Sequence, residues 1–283
     1  MRCLLRRSTC VWGRDIEMLT LRVTDPVGRG FLRPDPAGGP NPRELVIRPV
    51  RGQEHRDLDA VRRADGHWLR PWEATLPPDT LEHIPTFSQY MRRADRDHRE
   101  GTGLIFGVRI DGRFVGQFSI SNVHWGAMSS GMLGYWIVSN WAGRGLGSLC
   151  AALVLDLVVG ELGLHRVEVC VRPENERSLG VCRGLGLIEE GVRPRFMHIA
   201  GQWADHVAFF IDSESLPEGA SCSGGGEVPR FPELGWCVFP GLTPCGCCAR
   251  ASGGCVVVAM RCLLVMSTNC ENCQVCHCGV LPV

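Results

Sequence analysis

Leu133-Gly-Tyr-Trp-Ile-Val-Ser-Asn-Trp-Ala-Gly-Arg-Gly-Leu-Gly147 is the stretch on which the reading of this chain turns. It opens as a strand, passes through Gly143, Gly145 and Gly147 interleaved with Arg144, and runs into an apolar helix. Glycines let the backbone turn so that successive N–H groups converge, and a helix N-terminus adds roughly half a positive charge. Arg144 stands where it can add a full charge. A diphosphate is the natural ligand of such a loop. Two common nucleotide loops do not fit. No Lys-Ser/Thr follows the glycines, as a P-loop requires. A dinucleotide fingerprint needs a further glycine at position 150, which is Cys150. Spacing alone leaves a plain glycine turn open as the alternative.

Outward from this stretch, residues 44–212 alternate between strand and helix patterns. Glu44 to Val50 reads as a strand, and Gln53 to Ala64 as a helix with Leu58 and Val61 on one face. A second helical stretch runs from Asp79 to Arg99, bent or restarted at Pro85. Leu104 to Ile110 and Arg113 to Val123 form a hairpin closed by Asp111-Gly112. Leu146 to Leu162 is apolar nearly all round, the mark of a buried helix. His165 to Val171 is a strand, Glu174 to Gly184 a helix, and Ile188 to Ile199 with Ala204 to Ile211 a closing strand pair. Strands and helices mixed around one sheet place the domain in the α/β (α+β) class.

The flanks differ. Residues 1–43 carry Pro34, Pro36, Pro40 and Pro42 with Gly38 and Gly39, an irregular N-terminal extension. Residues 213–283 hold eleven of the sixteen cysteines, few charges and no sustained periodicity, and are expected to lie outside the folded domain as a disordered tail. The run Cys270-x-x-Cys273-x-x-Cys276-His277-Cys278 lacks two clean Cys-x-x-Cys pairs, so no metal is assigned to it. Formal net charge is zero, so no global field attracts nucleic acid or an anionic membrane. All thirty basic residues are arginine, which removes lysine nucleophiles and Schiff bases from consideration. No apolar run reaches the roughly 18 residues of a membrane span, and a cytoplasmic location is expected.

The ordered co-occurrence of several motifs resembles the GNAT superfamily of acyl-coenzyme A transferases. Gly145 and Gly147 match the glycines of its pyrophosphate motif, while Ala142 stands where that motif usually has Arg or Gln. Arg172-Pro-Glu-Asn-Glu-Arg-Ser178, Leu185-Gly-Leu-Ile-Glu-Glu-Gly191, Leu45-Val-Ile-Arg-Pro-Val50 and Leu69-Arg-Pro-Trp-Glu73 are most similar to the branch that acetylates N-termini of ribosomal proteins. The resemblance covers residues 44–212 and implies a mixed, mostly antiparallel sheet flanked by helices.

It also implies a site. The backbone of Trp136, Ile137 and Val138 would pair with the pantetheine arm of acetyl-CoA, and the loop Gly143, Arg144, Gly145, Leu146 and Gly147 would hold the pyrophosphate. Asn175 lies near the cofactor thiol in the family, and Ser178 would return a proton to the departing thiolate. Glu190 matches a glutamate proposed to act as base through water, with Glu168 as second candidate. For both, an ordinary salt-bridged carboxylate is the competing reading. Many relatives carry a tyrosine acid near the position of Phe196, which has no proton to give. Trp68, Trp72 and Glu73 sit where the family places acceptor loops, and would present aromatic walls and a carboxylate to an amine. The implied function is transfer of acetyl from acetyl-CoA to a protein N-terminal α-amine. A small-molecule amine (aminoglycoside or polyamine) and a catalytically silent acyl-CoA binding protein are the alternatives.

Overall fold

The computed structural model describes residues 10–25, 30–80 and 85–215. Eight strands form one sheet: β1 (Leu21–Thr24), β2 (Glu44–Pro49), β3 (Leu104–Ile110), β4 (Arg113–His124), β5 (Ser130–Ile137), β6 (Arg166–Val171), β7 (Ile188–Ile199) and β8 (Gln202–Asp212). Their order is β1-β2-β3-β4-β5-β6-β8-β7. Every pairing is antiparallel except β5 with β6. The helices are α1 (Glu54–Ala64), the single turn α2 (Gly66–Leu69), α3 (Phe87–Glu100), α4 (Leu146–Leu155) and α5 (Glu176–Gly184). The mixed, mostly antiparallel sheet with flanking helices is the expected fold.

Local chemistry accounts for the element ends. At the β3–β4 turn Asp111 and Gly112 both take positive φ, 47° and 81°, as a two-residue hairpin of this type requires. The Asp111 carboxylate also accepts from the N–H groups of Arg43 and Glu44, at 3.0 and 2.9 Å. Thr86 and Gln89 form a reciprocal capping box at the start of α3, so that helix begins at Phe87 and not at Asp79. The correction follows from the cap, because Pro85 precedes it and disfavours helix in the residue before it.

α4 carries the core. Leu146 and every residue from Leu149 to Leu155 are buried, packed with Phe106, Phe118 and Phe209 from the sheet. Each fully buried Leu there contributes about 1.5–3 kcal/mol. Beyond Leu155 the chain winds more widely through Asp156–Glu161, with Leu162 N–H bonded to the Leu157 carbonyl at 2.9 Å.

Strand β1 lies within the span assigned above to an irregular extension. Leu21 and Val23 are buried and pair with Ile47 and Leu45, so the sheet begins before residue 44. Four residues amid prolines and glycines carry too short an alternation to read as a strand. Ahead of it, Cys10–Val11 pairs with Arg14–Asp15 in a separate two-stranded ribbon. The cysteine-rich segment and the tail expectation lie outside the described residues. Among the described residues no helix is long and apolar enough to cross a membrane, and no cluster of three metal-ligating side chains occurs.

Candidate active site

β5 and β6 pair only at Ser130–Met132 with Arg166–Glu168. Beyond that point each strand follows its other neighbour: β5 stays on β4 as far as Ile137, and β6 stays on β8 as far as Val171. The two therefore separate into a V. Val138 N–H donates to the Val115 carbonyl on β4 at 2.9 Å. By strand alternation the peptide groups of Ile137 face the opposite way, into the opening.

A cleft of about 1020 Å³ runs along β5 to the glycine loop and the start of α5. Trp136, Ile137, Gly143, Gly145, Gly147, Asn175 and Ser178 line it, and so do Trp68, Trp72 and Glu73. Thus the cofactor and acceptor residues read from sequence mostly share one cavity. Gly143 and Gly145 have φ of 76° and 88°, left-handed values that a side chain would strain. The first hydrogen bond within α4 runs from Leu149 N–H to the Gly145 carbonyl, at 3.0 Å. The N–H groups of Leu146, Gly147 and Ser148 thus have no acceptor inside the helix. A cavity ending on unpaired amides at a helix start fits a diphosphate.

Arg144 does not serve that end as expected. Its side chain is 3% exposed and lies away from the cleft. Nε donates to the Arg33 carbonyl at 3.1 Å, Nη1 is 3.6 Å from Asp35, and the guanidinium lies 4.4 Å from the centre of the Trp141 ring. Val138 and Leu146 also do not line the cleft. Both side chains are buried in the core, and Val138 has its N–H bonded to β4.

Ser178 sits on the first turn of α5, and its Oγ is 2.8 Å from the Tyr135 hydroxyl on β5. Burial pushes the Tyr135 phenol well above its ordinary range, so this hydroxyl keeps its proton. Tyr135 stacks on Phe118 at 4.9 Å, which fixes the ring. Asn175 caps α5, its side-chain oxygen accepting from the Ser178 N–H at 3.2 Å. The tyrosine was visible in the sequence as the one next to the glycine stretch. Its pairing with a serine 43 residues away was not.

At the end of the cleft where the sequence places the acceptor loops, the Trp68 indole N–H donates to the Ile137 carbonyl at 3.0 Å, while the Arg177 guanidinium lies 4.9 Å from the centre of the Trp68 ring. Glu73 pairs with Arg62 at 2.6 Å, and Asp59 pairs with Arg62 at 3.3 Å and Arg63 at 2.5 Å. This loop is held in place from two sides. Ala74 bridges to Ile199 on β7, and Asp65 accepts from the Ser139 N–H and Oγ at 2.5 and 2.9 Å. Asp65 was not singled out from sequence, since an aspartate at a helix end reads only as a cap.

Glu168 and Glu190 do not line the cleft, which corrects their assignment as bases. They share one ion-pair cluster. Arg166 meets both, at 3.1 and 2.8 Å, and Arg193 meets both, at 2.8 and 3.4 Å. Burial acts to raise the Glu168 pKa, but the hydrogen bonds from Arg193 and Arg166 outweigh it and hold the carboxyl below its ordinary range. Phe196 packs edge-on to His206 at 5.7 Å, also away from the cleft.

Comparison with known proteins agrees with this geometry. A family model described as acetyltransferase (GNAT) domain matches residues 44–188. The chain is 30% identical over 171 residues to the [ribosomal protein uS5]-alanine N-acetyltransferase of Escherichia coli (strain K12), covering 58% of this chain and 84% of that one. It is also 30% identical over 124 residues to the probable N-acetyltransferase YjcK of Bacillus subtilis (strain 168), covering 44% of this chain and 67% of that protein. Among solved structures, Mycobacterium smegmatis RimJ in complex with CoA-disulfide is 36% identical, with a TM-score of 0.55 over 67% of this chain and 88% of that chain.

Proposed function

Because the chain belongs to the GNAT acetyltransferase family, whose members take acetyl from acetyl-CoA, we propose that its acceptor is the α-amine of a protein N-terminus. The observation that carries this reading is the charge at the acceptor end. The two carboxylates on the cleft, Asp59 and Glu73, are already neutralised by Arg62 and Arg63, and Arg177 lies close by. A polyamine or aminoglycoside brings several positive charges and needs unpaired acids. A peptide N-terminus brings one charge, and the walls of Trp68 and Trp72 suit the side chain and backbone that follow it. The E. coli relative is named as a [ribosomal protein uS5]-alanine N-acetyltransferase, and a protein acceptor there supports this reading.

The position of Glu168 and Glu190 away from the cleft is consistent with this acceptor. An α-amino group with pKa about 7.7–8.0 is roughly one-tenth neutral at pH 7, whereas a lysine amine is neutral only about 0.04% of the time. Glu168 and Glu190 are not needed to make it nucleophilic. Bound acetyl-CoA supplies an activated thioester, and the protein's residues position and protonate. The Ile137 edge and the glycine-loop amides orient the donor. The 2.8 Å contact allows either hydroxyl to donate; in the direction the reaction uses, Tyr135 donates to Ser178, and Ser178 keeps its own proton, at Oγ, to pass to the leaving sulfur.

The test is turnover of acetyl-CoA against N-terminal peptides, polyamines and aminoglycosides. Peptide acetylation at the α-amine is expected. Turnover restricted to polyamines or aminoglycosides would overturn the acceptor assignment, and binding of acetyl-CoA with no turnover of any acceptor would overturn the catalytic reading.

A further inference from the structure

We propose that Arg33 is a phosphate ligand for coenzyme A, delivered to the glycine loop by a segment that precedes the matched family domain. The inference rests on the acetyl-CoA reading of the cleft. The loop's own cation is turned away, since Arg144 is buried against Arg33, Asp35 and Trp141. Ala142 lines the cleft with no donor to offer beyond its backbone, and its N–H is already bonded to the Ser139 carbonyl. The glycine end therefore has amides but no charge from its own sequence.

Arg33 fills that gap. Its side chain is exposed and lines the cleft, and among the described residues it makes no ion pair. Its backbone is fixed beside the glycines by two bonds to one residue. Arg33 N–H donates to the Arg144 carbonyl at 3.0 Å, and the Arg33 carbonyl accepts from Arg144 Nε at 3.1 Å. On one side Leu32 is sunk into the core, and on the other Asp35 faces Arg144 at 3.6 Å. A guanidinium held by its backbone, with its charge unengaged at the rim of an amide-lined anion site, is suited to bidentate phosphate contact. Arg177, also on the cleft, is engaged over Trp68 instead. In this arrangement Arg144 is a positioning residue, whose buried charge clamps the segment that carries the ligand.

The test is calorimetry of coenzyme A and 3′-dephospho-coenzyme A with the full chain, as wild type, Arg33→Gln and Arg33→Lys. Arg33→Gln is expected to weaken coenzyme A binding about tenfold or more. Its unliganded melting temperature should not change, because the anchoring bonds are to the backbone. Arg33→Lys should recover part of the loss. An equal loss with both ligands assigns Arg33 to the pyrophosphate, whereas a loss confined to coenzyme A assigns it to the 3′-phosphate, and both support the proposal. Wild-type affinity of Arg33→Gln for coenzyme A would overturn it. Failure of the wild type itself to bind either ligand is a different result, which would overturn the acetyl-CoA reading beneath it.

Discussion

Ser178 and Tyr135 make the sharpest test at the scale of single residues. Their hydroxyls are 2.8 Å apart on the wall of the cleft, and general acid contributions of this kind amount to about 10²–10⁴ in rate. Ser178→Ala is therefore expected to lower kcat about 100-fold with little change in KM for acetyl-CoA. Tyr135→Phe should cost less, because the serine proton remains. Steady-state rates at saturating peptide measure both, and wild-type kcat in Ser178→Ala would remove the serine from the reaction. At this scale the sequence was partly legible. Gly145 announced itself because few residue types tolerate φ of 88°. Arg144 was misread because its partners, Arg33 and Asp35, are more than 100 positions away, and no local pattern shows which way a side chain turns.

Among the elements, the close approach of β4 to β5 decides the shape of the cleft. A Cβ on Gly116 would meet the Trp136 carbonyl oxygen at 2.6 Å and Ile137 Cδ1 at 2.5 Å. One of these is backbone and cannot swing aside. Gly116→Ala is expected to push the Trp136–Ile137 edge out of line, weakening acetyl-CoA binding severalfold and lowering stability by about 1–3 kcal/mol. Calorimetric affinity and a denaturant melt would report the two effects separately, and an unchanged affinity would show that this edge does not hold the cofactor. Helix α4 was readable in advance because burial on all sides leaves an unbroken apolar run. The acids on β6 and β7 were readable as strand residues, but their orientation was not. Glu168 and Glu190 are brought together by the cross-sheet cluster with Arg166 and Arg193, which depends on a register set through β8. Short β1 escaped because its four residues become a strand only through pairing with β2.

For the whole molecule, stability against acid should follow His98. Burial first, and His55 second, push its pKa down to about 4 from an ordinary 6.5, and its Nε2 accepts from the Ile105 N–H at 2.9 Å. The folded state keeps this ring neutral while the unfolded chain protonates it. Its contribution is thus complete above about pH 6.5 and is lost as pH falls toward 4, amounting to about 3 kcal/mol across that window. Urea melts of wild type and His98→Gln between pH 4 and 7 check this, and parallel pH profiles would contradict it. A last consequence concerns traffic through the cleft. Trp68 lines the proposed acceptor end of the cleft and is also the partner of the Ile137 carbonyl, on the edge proposed for the donor's arm. On the proposed reading one indole belongs to both half-sites, and they are not expected to fill independently. Ordered addition, donor first, is therefore the expected kinetic scheme, because the donor's arm would displace that indole from the Ile137 edge before the acceptor's berth takes its final form. Product-inhibition patterns should show coenzyme A competing with acetyl-CoA but not with peptide. Trp68→Phe, which keeps a ring and drops the N–H, should loosen the sequence toward random entry, and random entry in the wild type would separate the two half-sites after all.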